Sequence, residues 1–148
     1  MNKAILHCSV GILSRREHSY EELMQKLKFR QHSEDEITPV LEFLIKKNYL
    51  SDQRFAESLF GSRLNKGYGW LYISNELEQK GVCDTIIVEL SKNQQIDWYL
   101  QAELAYNKRF GESTIKDQKD KLKRIRFMQS RGFSSDEIMI LIKYTHSD

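Results

Sequence analysis

Residues 127–141, FMQSRGFSSDEIMIL, carry the pattern that decides the fold, because it occurs three times in the chain. The other copies are KLKFRQHSEDEITPVL, starting at residue 26, and ELEQKGVCDTIIVEL, starting at residue 76. When Gln31, Gly81 and Gly132 are aligned, the apolar residues fall into three columns: Leu27, Leu77 and Met128; Ile37, Ile87 and Ile138; Val40, Leu90 and Leu141. This register predicts an internal repeat of about 50 residues, a period found in helical arrays.

Each copy has the pattern of a helix, a turn and a second helix. Apolar residues recur at spacings of three and four, which is helical periodicity, and the chain contains one proline. Gly81 and Gly132 follow the first helix of their copies, where a left-handed residue commonly ends a helix. Capping boxes are predicted at the helix starts Ser19–Glu22, Ser33–Glu36 and Ser134–Glu137.

A longer third helix completes each unit, over residues 51–64 and 96–110. The opening segment resembles a lone third helix, and the last repeat stops after two helices, which gives about eight helices in all. We therefore expect an all-α protein of three tandem three-helix repeats, the last one truncated, in an elongated, curved array. The expected single repeat-built domain spans 1–148, divided into an N-terminal helix (1–18), repeat 1 (19–65), repeat 2 (66–115) and a partial repeat 3 (116–148).

Pro39 leaves the start of one helix open. If the helix begins at Ser33, the proline lies beyond the first turn, where it removes a hydrogen bond and crowds the preceding carbonyl. If Thr38 is the N-cap, Pro39 occupies the first helical position without that cost. The sequence does not choose between a kinked early start and a late start.

Composition and charge describe an ordinary soluble chain with one basic region. The 148 residues carry a net charge of +2, with 40% hydrophobic and 30% charged residues. Residues 116–131 hold seven basic residues and two acidic ones. Cys8 and Cys83 lack metal or redox spacing and are expected to be reduced and packed. We expect a cytoplasmic protein, since no signal peptide or membrane span stands out.

The sequence shows no motif for catalysis, for a metal or for a cofactor. Its four histidines lack the short spacing of metal ligands, and its carboxylates cluster at helix starts, where they favour the helix dipole. The linker KGYGW at 66–70 is too short for a phosphate loop and follows no strand, so it is interpreted as a helix connection. Most aromatic residues have core spacing, whereas Trp70 is evenly balanced between core and surface; the expected core aromatics are Phe43, Tyr49, Phe55, Phe60, Trp98 and Phe110.

Four segments resemble the RecX family of bacterial recombination regulators, and together they extend over nearly the whole chain: 14–23, 48–82, 96–112 and 124–133. The family's middle signature has the form YL(D/S)DxRF, an arginine, and then KGYGPxxIxxELxxKG. The matching residues here are Tyr49, Leu50, Ser51, Asp52, Arg54, Phe55, Arg63, Lys66, Gly67, Tyr68, Gly69, Ile73, Glu76, Leu77, Lys80 and Gly81. Trp70 departs from the family's usual proline, and Ser51 replaces an aspartate with another good cap.

This resemblance implies a non-enzymatic protein that binds the RecA recombinase and its filament on single-stranded DNA. It implies restraint of filament extension, ATP hydrolysis, strand exchange and LexA cleavage, with no small-molecule substrate and no membrane. The expected contact residues are Arg16, Arg63, Lys66, Tyr68, Trp70, Lys80, Arg124, Arg126 and Arg131.

Two other hypotheses stand beside this one. The three-helix repeats resemble helix-turn-helix units, so weak, salt-sensitive direct DNA binding is the alternative. Against base recognition, the second helices carry few polar side chains that could read bases. A small enzyme with an unrecognised site is the third hypothesis.

Overall fold

The computed structural model describes the backbone of residues 1–146 and the side chains as far as residue 143, so the end of the expected domain, 147–148, lies outside the described residues. Across that range the chain forms nine α-helices and no strand, which confirms the all-α prediction and corrects the expected count of about eight. The helices are α1 (Lys3–Leu13), α2 (Tyr20–Phe29), α3 (Glu34–Lys46), α4 (Asp52–Asn65), α5 (Trp70–Gln79), α6 (Asp84–Asn93), α7 (Trp98–Phe110), α8 (Gln118–Ser130) and α9 (Ser135–His146).

The three repeated turns share one backbone geometry. Gln31, Gly81 and Gly132 have φ angles of 72°, 81° and 91°, all in the left-handed region. The amide after each of them donates to the carbonyl five residues back, at 3.3 Å, 3.0 Å and 3.3 Å respectively. This is the Schellman pattern of helix termination, and its presence in all three copies confirms the alignment.

The apolar columns of the repeat form the core. Leu27, Leu77 and Met128 are completely buried. The isoleucine column and the first two members of the third column are also buried. Leu141 is only partly buried, while its neighbour Ile142 is 2% exposed. The predicted periodicity therefore holds, with a shift of one residue at the last position.

Only one of the three capping boxes is fully reciprocal. The Glu137 amide donates to Ser134 Oγ at 3.2 Å, and the Ser134 amide donates to the Glu137 carboxylate at 2.9 Å. Ser19 accepts from the Glu22 amide at 3.0 Å, but the Glu22 carboxylate binds cations instead. Ser33 also caps its helix. The predicted helix starts are thus confirmed at all three serines.

The helix α3 takes the early start. Ser33 is its N-cap, and Pro39 lies in the helix interior. The Thr38 hydroxyl donates to the Glu34 carbonyl at 2.9 Å, one turn back along the helix. The late start at Thr38 is therefore wrong.

The chain divides into two compact units, each with its own core. Unit 1 comprises Met1–Leu59 and Leu77–Leu90, and unit 2 comprises Phe60–Glu76 with the described part of Ser91–Asp148. In unit 1, α1 packs on α2 and α3 around a cluster that includes Ile5, Leu23 and Leu44. In unit 2, α7 packs on α8 and α9 around a cluster that includes Tyr106 and Phe133. Each unit thus contains one packed trio of helices, α1–α3 in unit 1 and α7–α9 in unit 2.

Some expected core positions are exposed. Phe55 and Phe60 are buried as predicted, and Phe43, Trp98 and Phe110 are partly buried. Tyr49 is 60% exposed because it lies in the turn after α3, so its core assignment is wrong. Cys8 is partly buried, but Cys83 is exposed just before α6, which contradicts the expectation that both are packed. No helix in the described range is both long and apolar enough to span a membrane.

Candidate functional site

A basic groove of about 350 Å³ lies on unit 2. Four cations line it: Lys66, Lys108, Arg109 and Arg131. Its apolar wall comes mainly from Leu64, Leu104, Ala105 and Phe127, and no carboxylate appears among its described lining residues. We call this site the unit 2 groove. Such a lining favours an anionic partner with some apolar surface.

The linker between α4 and α5 supplies one wall of this groove. The Gly69 amide donates to the Arg131 carbonyl at 2.7 Å, and the Leu71 amide donates to the Gly132 carbonyl at 3.0 Å. The Tyr68 amide donates to the Arg63 carbonyl at 3.0 Å. These amides are therefore occupied by protein carbonyls, and the linker connects α4 to α5.

Two glycines allow the linker to approach the turn between α8 and α9. A Cβ atom on Gly69 would lie 2.5 Å from the Gly132 carbonyl oxygen. A Cβ atom on Gly132 would collide with the backbone of Tyr72, and its φ of 91° already favours glycine. The turn carries Arg131, so this close approach sets the position of Arg131 beside the linker.

Aromatic rings hold the two arginines of the groove. The Arg131 guanidinium lies 4.8 Å from the centre of the Tyr68 ring and 5.1 Å from that of Phe127. Arg109 lies 5.4 Å from the centre of the Phe127 ring. Within the described residues, neither guanidinium has a hydrogen-bond or ion-pair partner. The rings therefore orient both arginines while their N–H donors stay available to a ligand.

Of the predicted contact residues, Lys66 lines this groove, and Tyr68 lies beside it, with its ring against the Arg131 guanidinium. Lys66 is exposed, and Tyr68 is partly buried and stacks on Tyr72 at 4.1 Å between ring centres. The Gln101 side-chain amide donates to the carbonyls of Leu64 and Tyr68, at 2.9 Å and 3.3 Å. The helix α7 thus braces the segment that bears Lys66.

Arg63 has a structural partner inside unit 2. Its guanidinium donates to both carboxylate oxygens of Glu76, at 2.7 Å and 2.8 Å. These hydrogen bonds raise the pKa of Arg63 above its usual value. A bidentate pair of this kind joins α4 to α5 and leaves Arg63 less available to a partner than Lys66.

Arg124 is buried, contrary to the expectation that it contacts a partner. Its guanidinium donates to Tyr106 Oη and the Ser113 carbonyl at 2.8 Å each, and to the Thr114 carbonyl at 3.1 Å. It also donates to Asp120 and is only 3% exposed. The residue anchors the 111–117 loop to α8, because a buried guanidinium must satisfy its donors internally.

Trp70 is also packed. Its ring lies 6.1 Å from that of Phe60 and 6.1 Å from that of Trp98, and Phe60 and Trp98 are 6.2 Å apart. All three rings belong to unit 2. Trp70 therefore belongs to an aromatic cluster, and its position does not fit a free contact residue.

In unit 1, Arg16 and Lys80 share Glu22. Arg16 donates to both carboxylate oxygens at 3.0 Å and 2.8 Å, and Lys80 contacts the same carboxylate at 3.3 Å. Burial alone would raise the pKa of Glu22, but Arg16 and the other nearby cations lower it to about 2. The Ser19 hydroxyl donates to the Lys80 carbonyl at 2.7 Å, so this network tethers the residues beside Gly81 to α2.

The expected contact residues thus separate into two groups. Lys66 and Arg131 line the unit 2 groove, Tyr68 lies beside it against Arg131, and Arg126 is exposed on α8. The remaining five have structural partners: Arg16, Arg63, Trp70, Lys80 and Arg124.

Sequence reasoning missed Lys108, Arg109 and Phe127 as members of this site. The two cations lie in the last turn of α7, where a favourable interaction with the helix dipole explains them, and Phe127 has core spacing. In the sequence, the feature that could have pointed to them is the adjacent basic pair Lys108–Arg109, which shortly precedes the basic segment 116–131. As for a metal centre, the described residues contain no group of three His, Cys, Asp or Glu side chains that could bind an ion.

The fold and the groove define a class first: an all-helical protein built from three-helix repeats that bears a basic, aromatic-walled surface site. Family models described as the first, second and third three-helix domains of RecX match residues 6–44, 51–89 and 97–142. The chain therefore belongs to the RecX family. The first and third of these domains correspond to the packed trios α1–α3 and α7–α9.

Named relatives cover nearly all of the chain. A "Regulatory protein RecX" of Haemophilus influenzae is 40% identical over all of this chain and 99% of its own length. One from Halorhodospira halophila is 37% identical over 93% of this chain and 85% of its own. The crystal structure of RecX from Lactobacillus salivarius aligns with a TM-score of 0.74 at 21% identity, over 97% of this chain and 95% of that one, and supports the fold.

Proposed function

We propose that this protein binds RecA and its filament on single-stranded DNA and regulates the filament mainly by inhibition. It restrains filament extension, ATP hydrolysis, strand exchange and LexA cleavage, in the cytoplasm and without catalysis of its own. The observation that carries this proposal is membership of a family whose relatives are named regulatory proteins, over nearly the full chain. A regulator with this fold acts through a binding surface.

The unit 2 groove is the proposed contact surface. Its four cations have no carboxylate among their described lining neighbours, so their field is not cancelled locally. Arginines placed on aromatic rings lose little entropy when they bind carboxylate or phosphate. An anionic surface of the filament, whether acidic side chains or DNA phosphates, fits this arrangement.

The direct test is the DNA-dependent ATPase of RecA, with filament growth followed by electron microscopy. The double variant Arg109→Glu/Arg131→Glu reverses two groove charges. We expect it to weaken inhibition by at least tenfold in the concentration required, because two favourable charge contacts become repulsive. Lys92→Glu is the matched control, since Lys92 is exposed in unit 2 and does not line the groove.

Two outcomes would contradict the proposal. If wild-type protein leaves the RecA ATPase unchanged and forms no complex with the filament, the proposed function is wrong. If wild type inhibits and the double variant inhibits equally well, the function stands but the groove is not the contact.

The second candidate function is direct binding to bare DNA. A basic groove without lining carboxylates also suits a phosphate backbone, and this observation favours the candidate. Affinities for bare single-stranded DNA and for the RecA-coated strand distinguish the two functions. A strong preference for bare DNA would favour direct binding.

A further inference from the structure

A second basic depression, on unit 1, is separate from the groove described above. It has a volume of about 680 Å³ and is lined by Ile12, Arg15, Arg16, His18, Gln25, Lys26, Phe29 and Arg30. These described lining residues include four Lys or Arg side chains and no carboxylate. We call it the unit 1 depression.

Phe29 gives this depression an aromatic ring that is exposed to solvent. It is the last residue of α2 and is 86% exposed, whereas Leu23 and Leu27 of the same helix are completely buried. A single exposed apolar side chain is ordinary on a protein surface. An open ring among cations is a more specific feature, because it pairs a stacking surface with charge.

The cations around Phe29 are crowded. Arg15 is exposed and has no ion-pair partner within the described part of the chain. The Arg30 guanidinium donates to Cys8 Sγ at 2.8 Å, which holds the exposed side chain in place. The Lys26 ammonium lies 2.7 Å from His18 Nε2, and His18 Nδ1 lies 3.0 Å from the Arg16 carbonyl oxygen. The His18 ring is therefore the neutral tautomer that donates to Arg16 and accepts from Lys26.

Repulsion among its cationic side chains shows that the unit 1 depression is electropositive. Burial lowers the pKa of Lys26, and the charges of Arg16, Lys80 and Arg30 lower it further, against the opposing effect of Glu22. Arg16 is paired with Glu22, so Arg15, Lys26 and Arg30 supply most of the uncompensated charge. A bound anion would relieve this repulsion.

We propose that the unit 1 depression binds single-stranded nucleic acid, with backbone phosphates at Arg15, Lys26 and Arg30 and one base stacked on Phe29. Unstacked bases present their faces to an aromatic ring, and bases within a duplex do not. An acidic protein segment would use the cations but would have no need of an open ring. The site goes beyond the proposed function, since it requires only a bare strand and no RecA.

The two aromatic sites of the molecule differ in a way that supports this choice. In the unit 2 groove, guanidinium groups already lie over Phe127 and Tyr68. Phe29 is not among the described aromatic rings that contact another ring or a cation. Its face therefore remains available for a base, while the groove rings serve to orient arginines.

The test measures binding of fluorescein-labelled (dT)20 by anisotropy at low salt, without RecA. Phe29→Leu keeps an apolar side chain and removes the ring, and Phe29→Trp enlarges the ring. We expect Phe29→Leu to weaken binding by about tenfold and Phe29→Trp to bind at least as tightly as wild type. Because Phe29 is exposed, both variants should keep the wild-type circular dichroism spectrum.

The charge contribution is tested by Arg15→Glu/Arg30→Glu. This variant should bind (dT)20 more weakly at low salt and show a smaller dependence of affinity on salt, because fewer counterions are released. The exposed Lys92→Glu variant serves again as the matched charge control and should retain the wild-type salt dependence.

Three results would overturn the site. The first is equal (dT)20 affinity of Phe29→Leu and wild type. The second is equal binding of an abasic oligonucleotide and (dT)20, which would show phosphate contact without stacking. The third is polyglutamate that binds as tightly as (dT)20 with the same sensitivity to Phe29→Leu, which would indicate an acidic protein segment.

The same assay separates this site from the proposed function. Arg109→Glu/Arg131→Glu should disturb RecA regulation and leave the Phe29-dependent part of (dT)20 binding intact. If wild type does not affect RecA while Phe29→Leu still weakens (dT)20 binding, the proposed function fails and the unit 1 depression stands.

Discussion

The helix pair α2–α3 of unit 1 and the pair α8–α9 of unit 2 have the same turn for different reasons. Gln31 and Gly132 both have a left-handed φ, and the amide after each donates to the carbonyl five residues back. The Gln31 side chain is exposed, whereas any side chain at Gly132 would collide with Tyr72. The comparison shows that local backbone geometry alone determines the turn at Gln31. At Gly132 the same backbone geometry is required, and close contact with Tyr72 also excludes any side chain.

The helices that lead into these turns are also anchored differently. In unit 1, α2 carries Glu22, whose mostly buried carboxylate meets the partly exposed side chains of Arg16 and Lys80. In unit 2, α8 carries the buried Arg124, which meets mainly neutral oxygens of the 111–117 loop. Removing a buried charge with many acceptors should cost more than removing one member of a partly exposed ionic cluster.

Gly132→Ala should have the largest effect, and it tests directly whether close contact with Tyr72 excludes a side chain at this turn. We expect a loss of about 4 kcal/mol in the free energy of unfolding, because alanine adds backbone strain at this φ and collides with the Tyr72 backbone. Urea unfolding followed by tryptophan fluorescence reports on unit 2, where both Trp70 and Trp98 lie. A loss below 1 kcal/mol would show that the α5 residue Tyr72 and the turn between α8 and α9 are not in close contact.

Arg124→Met should destabilise unit 2 by about 2–3 kcal/mol. Methionine approximates the aliphatic part of the side chain but leaves the Ser113 and Thr114 carbonyls and the Tyr106 hydroxyl without their donor. The same fluorescence-monitored urea titration measures this change. Arg126→Met on the exposed side of α8 is the control and should stay within about 0.5 kcal/mol of wild type.

Glu22→Gln should lower stability by about 1 kcal/mol at neutral pH and remove part of the acid sensitivity of unit 1. The pKa of Glu22 falls from about 4.5 to about 2 in the folded chain, so its ionised form stabilises the fold above pH 4.5. That contribution is lost as the pH falls from about 4.5 towards 2. Urea unfolding followed by circular dichroism should show a flatter pH dependence for Glu22→Gln in this window. An unchanged slope would mean that the Arg16–Glu22–Lys80 network does not stabilise the fold.

Gln31→Gly should have the smallest effect, in the opposite direction. Glycine adopts a φ of 72° without steric cost, although it loses more chain entropy on folding. We expect a gain of about 0.5 kcal/mol in circular dichroism-monitored urea unfolding. A clear loss of stability would show that the Gln31 side chain makes a stabilising contact. The turns at Gln31 and Gly132 would then be equivalent only in their backbone geometry.

Most of the fold could be predicted because the repeat places the same requirements at the same positions. Leu27, Leu77 and Met128 must be buried wherever the amphipathic helices pack, and Gly81 suits a left-handed φ in any context. The grouping of the helices into trios was harder, since periodicity gives the order of the helices but not which three share a core.

Much less of the candidate site could be predicted. Arg124 and Arg131 lie in one basic segment, yet the first is buried and the second lines a groove. Helical periodicity does not reveal that the 111–117 loop folds over Arg124. Nor does it show that Lys108 and Arg109, in the last turn of α7, lie beside the linker that bears Lys66.

The amino-acid sequence alone determined the helices, their caps, the repeat and the family, because these depend on local spacing and backbone preference. The tertiary structure alone decided which cations are available, since burial and ion pairing depend on residues far apart in the chain. For that reason Arg63, Lys80 and Arg124 brace the fold, while Lys66, Arg109 and Arg131 converge on one groove.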